Sequence, residues 1–131
     1  MNILLDTCAL LWIATEPGRL PARSRALFQD PGNRVCVSVV SAWEICVKNR
    51  RGKLPLPNDI SPSAFFREAR QRHGVESLAI TEADTAMLER LADLHNDPFD
   101  RMLVCQALAN QMTILTPDPL IAAYAVATAW A

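Results

Sequence analysis

The sequence predicts an α/β fold in which a short parallel sheet is buried between helices. Short apolar segments rich in β-branched residues, such as 34–40 (RVCVSVV), are typical of strands that are buried on both faces. These segments alternate along the chain with longer segments that carry helix start and stop signals, an order typical of parallel strands joined by crossovers. The chain has 131 residues, half of them hydrophobic, so 1–131 is expected to form a single domain.

The predicted strands are short apolar runs that end at polar residues or turns. They cover 1–5, 34–40, 75–80, 112–115 and 124–127. Each run is only four to seven residues long, which is the usual length of a strand and too short for a typical helix.

The predicted helices are delimited by capping residues, prolines and glycines. Ser61 and Pro62 match an N-cap followed by a proline in the first turn, and Gly74 marks the end of that helix. Ser41 and Thr81 are predicted to begin two other helices. The predicted helices cover 7–14, 21–30, 41–50, 62–73, 82–94, 100–111 and 119–123.

Composition narrows the possible functions. A net charge of −1 argues against a protein that coats nucleic acid, because such proteins are usually basic. No run approaches the roughly 18 apolar residues of a membrane span, and Asp6 interrupts the first apolar run, so a soluble cytoplasmic protein is expected. The four cysteines lie in apolar runs without a C-x-x-C pair and are expected to be buried, reduced thiols.

Four carboxylates are predicted at one edge of the sheet. Asp6 and Asp118 follow the first and fourth strands directly, and ligands of open α/β sheets bind beyond the carboxyl ends of the strands. Glu44 lies in the first turn of the helix after the second strand, and Asp100 begins the helix before the fourth. Because clustered carboxylates repel one another, a hard divalent cation such as Mg²⁺ is expected among them.

Each of the four carboxylates also has a structural interpretation. Asp6 is placed to cap the following helix, although Thr7 is an equally good cap. Glu44 completes a capping box with Ser41, and Asp100 is favoured in a first turn by the helix dipole. Asp118, in the sequence TPDP, is typical of a turn. Only the shared edge of the sheet favours the metal site over these interpretations.

Five segments resemble the PIN-domain ribonucleases, and specifically the VapC-type toxins of bacterial toxin–antitoxin pairs. The segments are LLDTCALLW (4–12), SVVSAWEICVKNRRGKL (38–54), HNDPFDRMLVCQALANQ (95–111), ILTPD (114–118) and the tail 124–130. The resemblance implies a three-layer α/β/α domain with Mg²⁺- or Mn²⁺-dependent endoribonuclease activity. It places the acidic ligands of the family on Asp6, Glu44, Asp100 and Asp118.

The resemblance also implies an RNA substrate, a VapB-like antitoxin as partner, and a homodimer. Thr7, Thr116, Lys48 and Arg101 are candidates to support the site or to contact substrate, with Arg101 placed to pair with Asp100 or with phosphate. Further cations for RNA are expected from Arg50, Arg51 and Lys53.

Other residues near these motifs are expected to be structural. Trp12 and Trp43 are candidate stacking platforms for RNA bases, but both lie in apolar runs, which favours core positions for them. Asp97 is interpreted as a turn residue, with a supporting role beside Asp100 as the alternative, and His95 as a helix-end residue. Cys8 occupies a position where the family often has histidine.

Two other functions are compatible with parts of the sequence. The first is a catalytically inactive PIN-like module that binds RNA or protein, which the presence of all four acidic residues disfavours. The second is a receiver-type phosphoacceptor domain. Such domains favour adjacent acidic residues after the first strand and a late lysine, whereas here Leu5 precedes Asp6 and no lysine follows Lys53.

Overall fold

Five parallel strands form one sheet in the computed structural model, which describes all residues 1–131. The strands lie in the order β3-β2-β1-β4-β5, so the chain leaves β1 in one direction and later returns to its other side. The strand bounds are β1 Asn2–Leu5, β2 Arg34–Ser38, β3 Glu76–Leu78, β4 Thr113–Leu115 and β5 Thr128–Ala129.

Seven α-helices connect and cover the strands. Their bounds are α1 Thr7–Thr15, α2 Ala22–Gln29, α3 Val39–Arg50, α4 Pro62–His73, α5 Glu82–Ala86, α6 Pro98–Asn110 and α7 Pro119–Ala122. Short 3₁₀ turns lie at Pro17–Arg19, Pro57–Asp59 and Met87–Glu89. No helix is both long enough and apolar enough to cross a membrane.

Helices cover both faces of the sheet, so the predicted three-layer α/β/α arrangement is confirmed. Ile3 and Leu5 of β1 pack in a cluster with residues of α1 and α4, whereas Leu4 packs in a second cluster with residues of α6 and α7. Successive strand residues point to opposite faces, so a strand buried on both sides must be apolar throughout. That requirement explains the unbroken apolar runs in the sequence.

Several element boundaries follow the sequence signals closely. Ser61 caps α4 by accepting a hydrogen bond from the backbone N–H of Ala64, and Pro62 occupies the first turn. Gly74 ends this helix with φ of 66°, a left-handed conformation that costs glycine little. The helix predicted over 62–73 is therefore confirmed.

Three predicted boundaries were wrong. α3 begins at Val39 with Ser38 as its cap, so Ser41 lies inside the helix. The helix predicted to reach residue 94 ends at Ala86 and is followed by a 3₁₀ turn and a loop. The last strand lies at Thr128–Ala129 rather than 124–127, because Tyr124 belongs to the turn after α7.

The prediction that all four cysteines are buried was also wrong in part. Cys36 and Cys105 are buried, whereas Cys8 is only partly buried and Cys46 is exposed. All four thiols are free.

Candidate active site

The strand order brings Asp6 and the segment after β4 together at the carboxyl edge of the sheet. β1 and β4 are neighbours, and the chain connections diverge between them, which makes this gap a topological switch point. The backbone N–H of Asp6 donates to the carbonyl oxygen of Leu115 over 3.2 Å, which extends the pairing of the two strands to the first acidic residue.

Asp6 is held by two hydrogen bonds and is only 4% exposed. Its Oδ1 accepts from the backbone N–H of Ala9 over 2.6 Å, so it caps α1. Its Oδ2 accepts from the hydroxyl of Thr116, and the Oγ1 of Thr116 in turn accepts from the backbone N–H of Asp118 over 3.0 Å. Thr116 thus ties the Asp6 carboxylate to the start of the segment that carries Asp118.

Glu44 reaches the same edge from α3, and its side chain is buried. Its Oε1 accepts from the hydroxyl of Thr7 over 2.7 Å, and its Oε2 accepts from the ammonium group of Lys48, four residues later in the helix. The predicted capping box with Ser41 is wrong, since the Oγ of Ser41 lies 2.8 Å from the Thr7 hydroxyl and Ser38 is the cap. Glu44 therefore faces the carboxyl edge instead of folding back on the backbone.

Asp100 approaches from the N-terminal turn of α6. The Oδ1 of Asp97 caps this helix by accepting from the backbone N–H groups of Phe99 and Asp100, over 2.9 and 3.1 Å. The Oδ2 of Asp100 lies 2.9 Å from the Nε2 of His95. A helix that begins at this point directs the carboxylate of Asp100 and the positive end of its dipole toward the cleft.

The four predicted acidic residues line one polar cleft of about 280 Å³, in which a single lining residue is hydrophobic. Asp118 completes the set from the N-cap of α7, where its Oδ1 accepts from the backbone N–H of Leu120. The residues that line the cleft are Asp6, Thr7, Cys8, Glu44, Lys48, Asp97, Asp100, Pro117 and Asp118. The structure thus brings together side chains that are up to 112 positions apart in the sequence (118 − 6).

Known proteins resemble this chain in sequence and in fold. The PIN domain family matches residues 3–127, which is nearly the whole chain. The chain belongs to the PIN-domain family.

Among curated proteins, the PIN domain is similar to Ribonuclease VapC16 of Mycobacterium tuberculosis (strain ATCC 25618 / H37Rv). The two are 42% identical over 64 residues, which is 48% of this chain and 43% of that protein. The match therefore spans less than half the length of this relative.

Solved structures share the fold over essentially the whole PIN domain. VapBC2 from Rickettsia felis, bound to a DNA fragment from its promoter, matches with a TM-score of 0.74 at 13% identity, covering 100% of both chains. VapBC-1 from nontypeable Haemophilus influenzae matches with a TM-score of 0.68 at 15% identity over 98% of this chain and 97% of that chain. FitAcB from Neisseria gonorrhoeae matches with a TM-score of 0.60 at 18% identity over 96% and 95%. At these identities the likeness establishes the fold alone.

Asp6 is the most perturbed acid of the PIN-domain cleft. Burial raises the pKa of Asp6 to about 7, and the hydrogen bonds from Thr116 and Ala9 oppose this shift only in part. The negative charges of Asp100 and Glu44 add to the increase. Near neutral pH, both the protonated and the charged form of Asp6 are therefore populated. A cation in the cleft would favour the charged form.

The surroundings of the cleft also shift the pKa values of Asp100 and Lys48. Burial raises the pKa of Asp100 against the hydrogen bond from His95, and the charge of Asp97 contributes to the increase. Burial alone would lower the pKa of Lys48, but the hydrogen bond and charge of Glu44 raise it overall. Lys48 is therefore the cation that offsets part of the negative charge of the cleft.

Sequence reasoning favoured structural roles for Asp97 and His95 and assigned no role to Cys8, whereas all three lie in this region. His95, Asp97 and Asp100 form a group in which the potential metal-ligand atoms all lie within 4.8 Å of one another. The four predicted acids share the cleft but do not form such a group. The proline after Asp97 was the available signal, because proline in a first turn marks the preceding residue as a cap. The thiol of Cys8 lines the cleft, and burial and the charge of Asp6 raise the pKa of this thiol to about 11.

Arg101 does not make the predicted pair with Asp100. Its guanidinium donates to the carbonyl oxygens of Ala92 and His95 and to the hydroxyl of Tyr124, over 2.9, 3.4 and 3.1 Å. Arg101 therefore holds the loop that precedes α6, and His95 is the partner of Asp100.

Proposed function

We propose that this PIN domain is a metal-dependent endoribonuclease that hydrolyses RNA phosphodiester bonds. The observation that carries the proposal is the cleft in which Asp6, Glu44, Asp100 and Asp118 meet at the switch point of the sheet. A group of buried acids with little compensating positive charge is costly unless a cation binds there. The similarity of 64 residues to Ribonuclease VapC16 supports RNA as the substrate.

The chemistry of the donor set fits a hard divalent cation. The four proposed ligands all supply carboxylate oxygens, which Mg²⁺ and Mn²⁺ prefer over nitrogen or sulfur. No hydrogen bond is made to the Oδ1 of Asp100 or the Oδ2 of Asp118, so both oxygens are available to a cation. We assign Asp6, Asp100 and Asp118 to metal contact, direct or through water, and Glu44 to metal contact or orientation of water. When bound, such an ion would polarise a phosphoryl oxygen and lower the pKa of a coordinated water.

The surrounding residues hold these carboxylates in place. Thr116 donates to Asp6 and fixes the orientation of its carboxyl plane, while Thr7 does the same for Glu44. Lys48 donates to Glu44 and leaves a partly exposed ammonium group at the cleft, where it can meet a phosphate. These supporting contacts restrict the rotamers of the reacting side chains, which catalysis requires.

The substrate would need more positive charge than Lys48 supplies. Arg50, Arg51 and Lys53 are exposed at the end of α3, beyond Lys48 on the same element. We propose that this cationic segment binds the RNA backbone on either side of the cleaved bond.

We further propose that the protein is the toxin of a toxin–antitoxin pair. Two of the solved structures that share its fold are of VapBC assemblies, and a free cytoplasmic ribonuclease would damage its own cell. A VapB-like antitoxin is therefore the proposed partner. A homodimer and a single functional unit comprising residues 1–131 are also proposed, and the mass of the purified protein in solution tests the dimer.

The test is an RNA cleavage assay with the purified protein. Single-stranded RNA should be cut in the presence of Mg²⁺ or Mn²⁺, and EDTA should abolish cleavage in a way that added metal reverses. Asp100→Asn should be inactive with the fold retained, since Asp100 is partly exposed and its backbone contacts persist. Expression without a partner should arrest growth, and the same variant should relieve the arrest.

Two results would overturn parts of this proposal separately. Undiminished cleavage in EDTA would exclude the metal site. Active enzyme that leaves growth unaffected would exclude the toxin role while leaving the nuclease intact. A protein that binds RNA tightly but cuts none with any divalent metal would be the inactive binding module instead.

A further inference from the structure

An exposed aromatic pair lies beside the acidic cleft. The side chain of Trp43 was predicted to be buried in the core, but it is 56% exposed and is among the largest apolar groups on the surface. Its indole contacts the ring of Phe99 edge to face, with centroids 4.8 Å apart and planes at 87°. Single exposed apolar residues are common on protein surfaces, so Trp43 carries an argument only because of the groups that lie beside it.

The pair is attached to the same two helices that carry two of the acidic residues. Trp43 immediately precedes Glu44 in α3, and Phe99 immediately precedes Asp100 in α6. Neighbouring helix residues are about 100° apart around the axis, so the aromatic rings lie on the surface next to the cleft rather than inside it. A chain that places a phosphate in the cleft would pass close to these rings.

The indole keeps a face free for a ligand. In an edge-to-face pair Phe99 can cover at most one face of Trp43, and the high exposure leaves the other open. Phe99 is partly buried against the second core cluster, and the indole of Trp43 packs against this anchored ring. A rigid aromatic ring with one open face is the feature that single-stranded nucleic acids stack on.

The charges nearby suit a polyanion. Trp43 and Arg50 are seven residues apart in α3, which puts them on the same side of the helix about two turns apart. Lys48 and the exposed Arg51 and Lys53 extend this positive segment beyond the end of the helix. One surface therefore offers an aromatic face at one end and cations at the other.

We propose that Trp43 is a stacking platform for an RNA base next to the cleaved phosphodiester, so that the substrate is single-stranded at that position. This inference rests on the proposed ribonuclease function and deepens it. A base in a duplex is already stacked on both faces, whereas an unpaired base can be turned onto the indole. Stacking is tolerant of base identity, so Trp43 would supply affinity and a requirement for single strands rather than a sequence preference.

A second copy of the chain fits this surface less well. One indole and one partly buried phenyl ring provide far less than the roughly 800 Å² per partner that a stable interface buries.

The test compares Trp43→Ala, Trp43→Phe and a matched control, Leu88→Ala, which removes another exposed apolar side chain that does not line the cleft. On a single-stranded RNA pool, Trp43→Ala should raise KM by roughly 5- to 100-fold with kcat little changed. Trp43→Phe should restore most of the affinity, because a phenyl ring still stacks. Leu88→Ala should match the wild type. Thermal unfolding of each variant checks that the fold is kept.

Fluorescence provides a readout that does not depend on cleavage. In EDTA, single-stranded RNA oligonucleotides should quench part of the tryptophan emission of the wild type, and Trp43→Phe should bind the RNA without this quenching. Trp12 and Trp130 remain in that variant and serve as internal controls. Duplex RNA of the same sequence should quench much less.

Unchanged KM and unchanged quenching in the Trp43 variants would overturn the platform while leaving a wild-type nuclease in place. A loss of RNA affinity that accompanies a drop from dimer to monomer, without rescue by Trp43→Phe, would instead make this surface a protein interface. If the wild type cuts no RNA, the proposed function fails, and the quenching experiment still decides whether Trp43 stacks on RNA.

Discussion

Asp6 and Asp84 are both almost fully buried, with 4% and 2% of their surface exposed. Both accept hydrogen bonds from backbone N–H groups at the start of a helix, but their surroundings differ. Asp84 is surrounded by donors. It accepts from the backbone N–H of Thr81 over 3.0 Å and from the side-chain amides of Gln106 and Asn110 over 3.3 Å each. These neutral groups satisfy the carboxylate locally and complete the capping box of α5.

Asp6 has fewer donors and has acids as neighbours. Two hydrogen bonds reach it, while Asp100 and Glu44 raise its pKa by their charge, in addition to the larger effect of burial. Burial by itself therefore does not identify a functional carboxylate. A buried acid satisfied by amides stabilises the fold, whereas a buried acid placed among other acids needs a partner from outside the protein.

The largest expected difference between the two aspartates is in catalysis. Asp6→Asn should lower RNA cleavage by roughly 100-fold or more, because the amide cannot supply a negative charge to the proposed cation. Asp84→Asn should retain near wild-type activity per folded molecule. Single-turnover rates of both purified variants measure this. Equal losses in the two variants would contradict the assignment of Asp6 to the active site.

The second expected difference is in the pH dependence of stability. In the folded protein the carboxyl group of Asp6 keeps its proton up to about pH 7. In the unfolded chain the same group loses its proton near its ordinary pKa of 3.8. Between these values the folded state binds more protons, so the contribution of Asp6 to the free energy of unfolding is fully present below pH 3.8 and is lost as pH rises to 7. The loss is on the order of a few kcal/mol.

Urea unfolding of the wild type and Asp6→Asn in EDTA, at several pH values from 4 to 8, measures this contribution. The wild type should lose stability relative to the variant as pH rises, and Mg²⁺ should restore it near pH 7.5 by binding the charged form. A difference between the two proteins that is constant with pH would show that the pKa of Asp6 is not raised in the folded state.

Asp84→Asn should act on stability instead. The new amide group replaces one acceptor oxygen with a donor that faces the donors of Gln106 or Thr81, so a buried hydrogen bond is lost. The expected cost is about 1–3 kcal/mol in the free energy of unfolding. Unfolding in urea at pH 7.5 tests it, and a variant as stable as the wild type would mean that these contacts contribute little.

The smallest expected effect concerns the hydroxyl that orients Asp6. Thr116→Val keeps the shape of the side chain but removes the donor to Asp6 and the acceptor for the N–H of Asp118. Loss of a contact worth about 1 kcal/mol should slow cleavage by roughly 5- to 10-fold. Thr113→Val, at the other end of β4, is the matched control and should leave the rate unchanged. If both substitutions slow cleavage equally, Thr116 has no special role in orientation.

The parts of the fold that depend on neighbouring residues in the sequence were predictable. The helix from Pro62 to His73 is an example, because its cap, its first-turn proline and its terminal Gly74 all act within a few residues of the backbone they control. The buried strand at Asn2–Leu5 is another, since three successive apolar residues, Ile3 to Leu5, suit an element covered on both faces.

The errors lie where distant residues decide the local structure. The helix after Thr81 ends at Ala86, and the guanidinium of Arg101 then binds the carbonyl oxygens of Ala92 and His95 in an irregular loop. Ser41 matches a cap by its spacing from Glu44, but both side chains turn toward Thr7 in another helix. These contacts cross long stretches of sequence, and no pattern of neighbouring residues reveals them.

By itself, the sequence determined the parallel sheet and most of the helices, because periodicity and capping depend on residues within a turn or two of one another. It also pointed to the four acids of the cleft as candidates. The tertiary structure alone decided which buried aspartate is satisfied, which partner each carboxylate takes and which tryptophan remains exposed. Those outcomes depend on which side chains from distant segments meet, and only the packing of the helices against the sheet sets that.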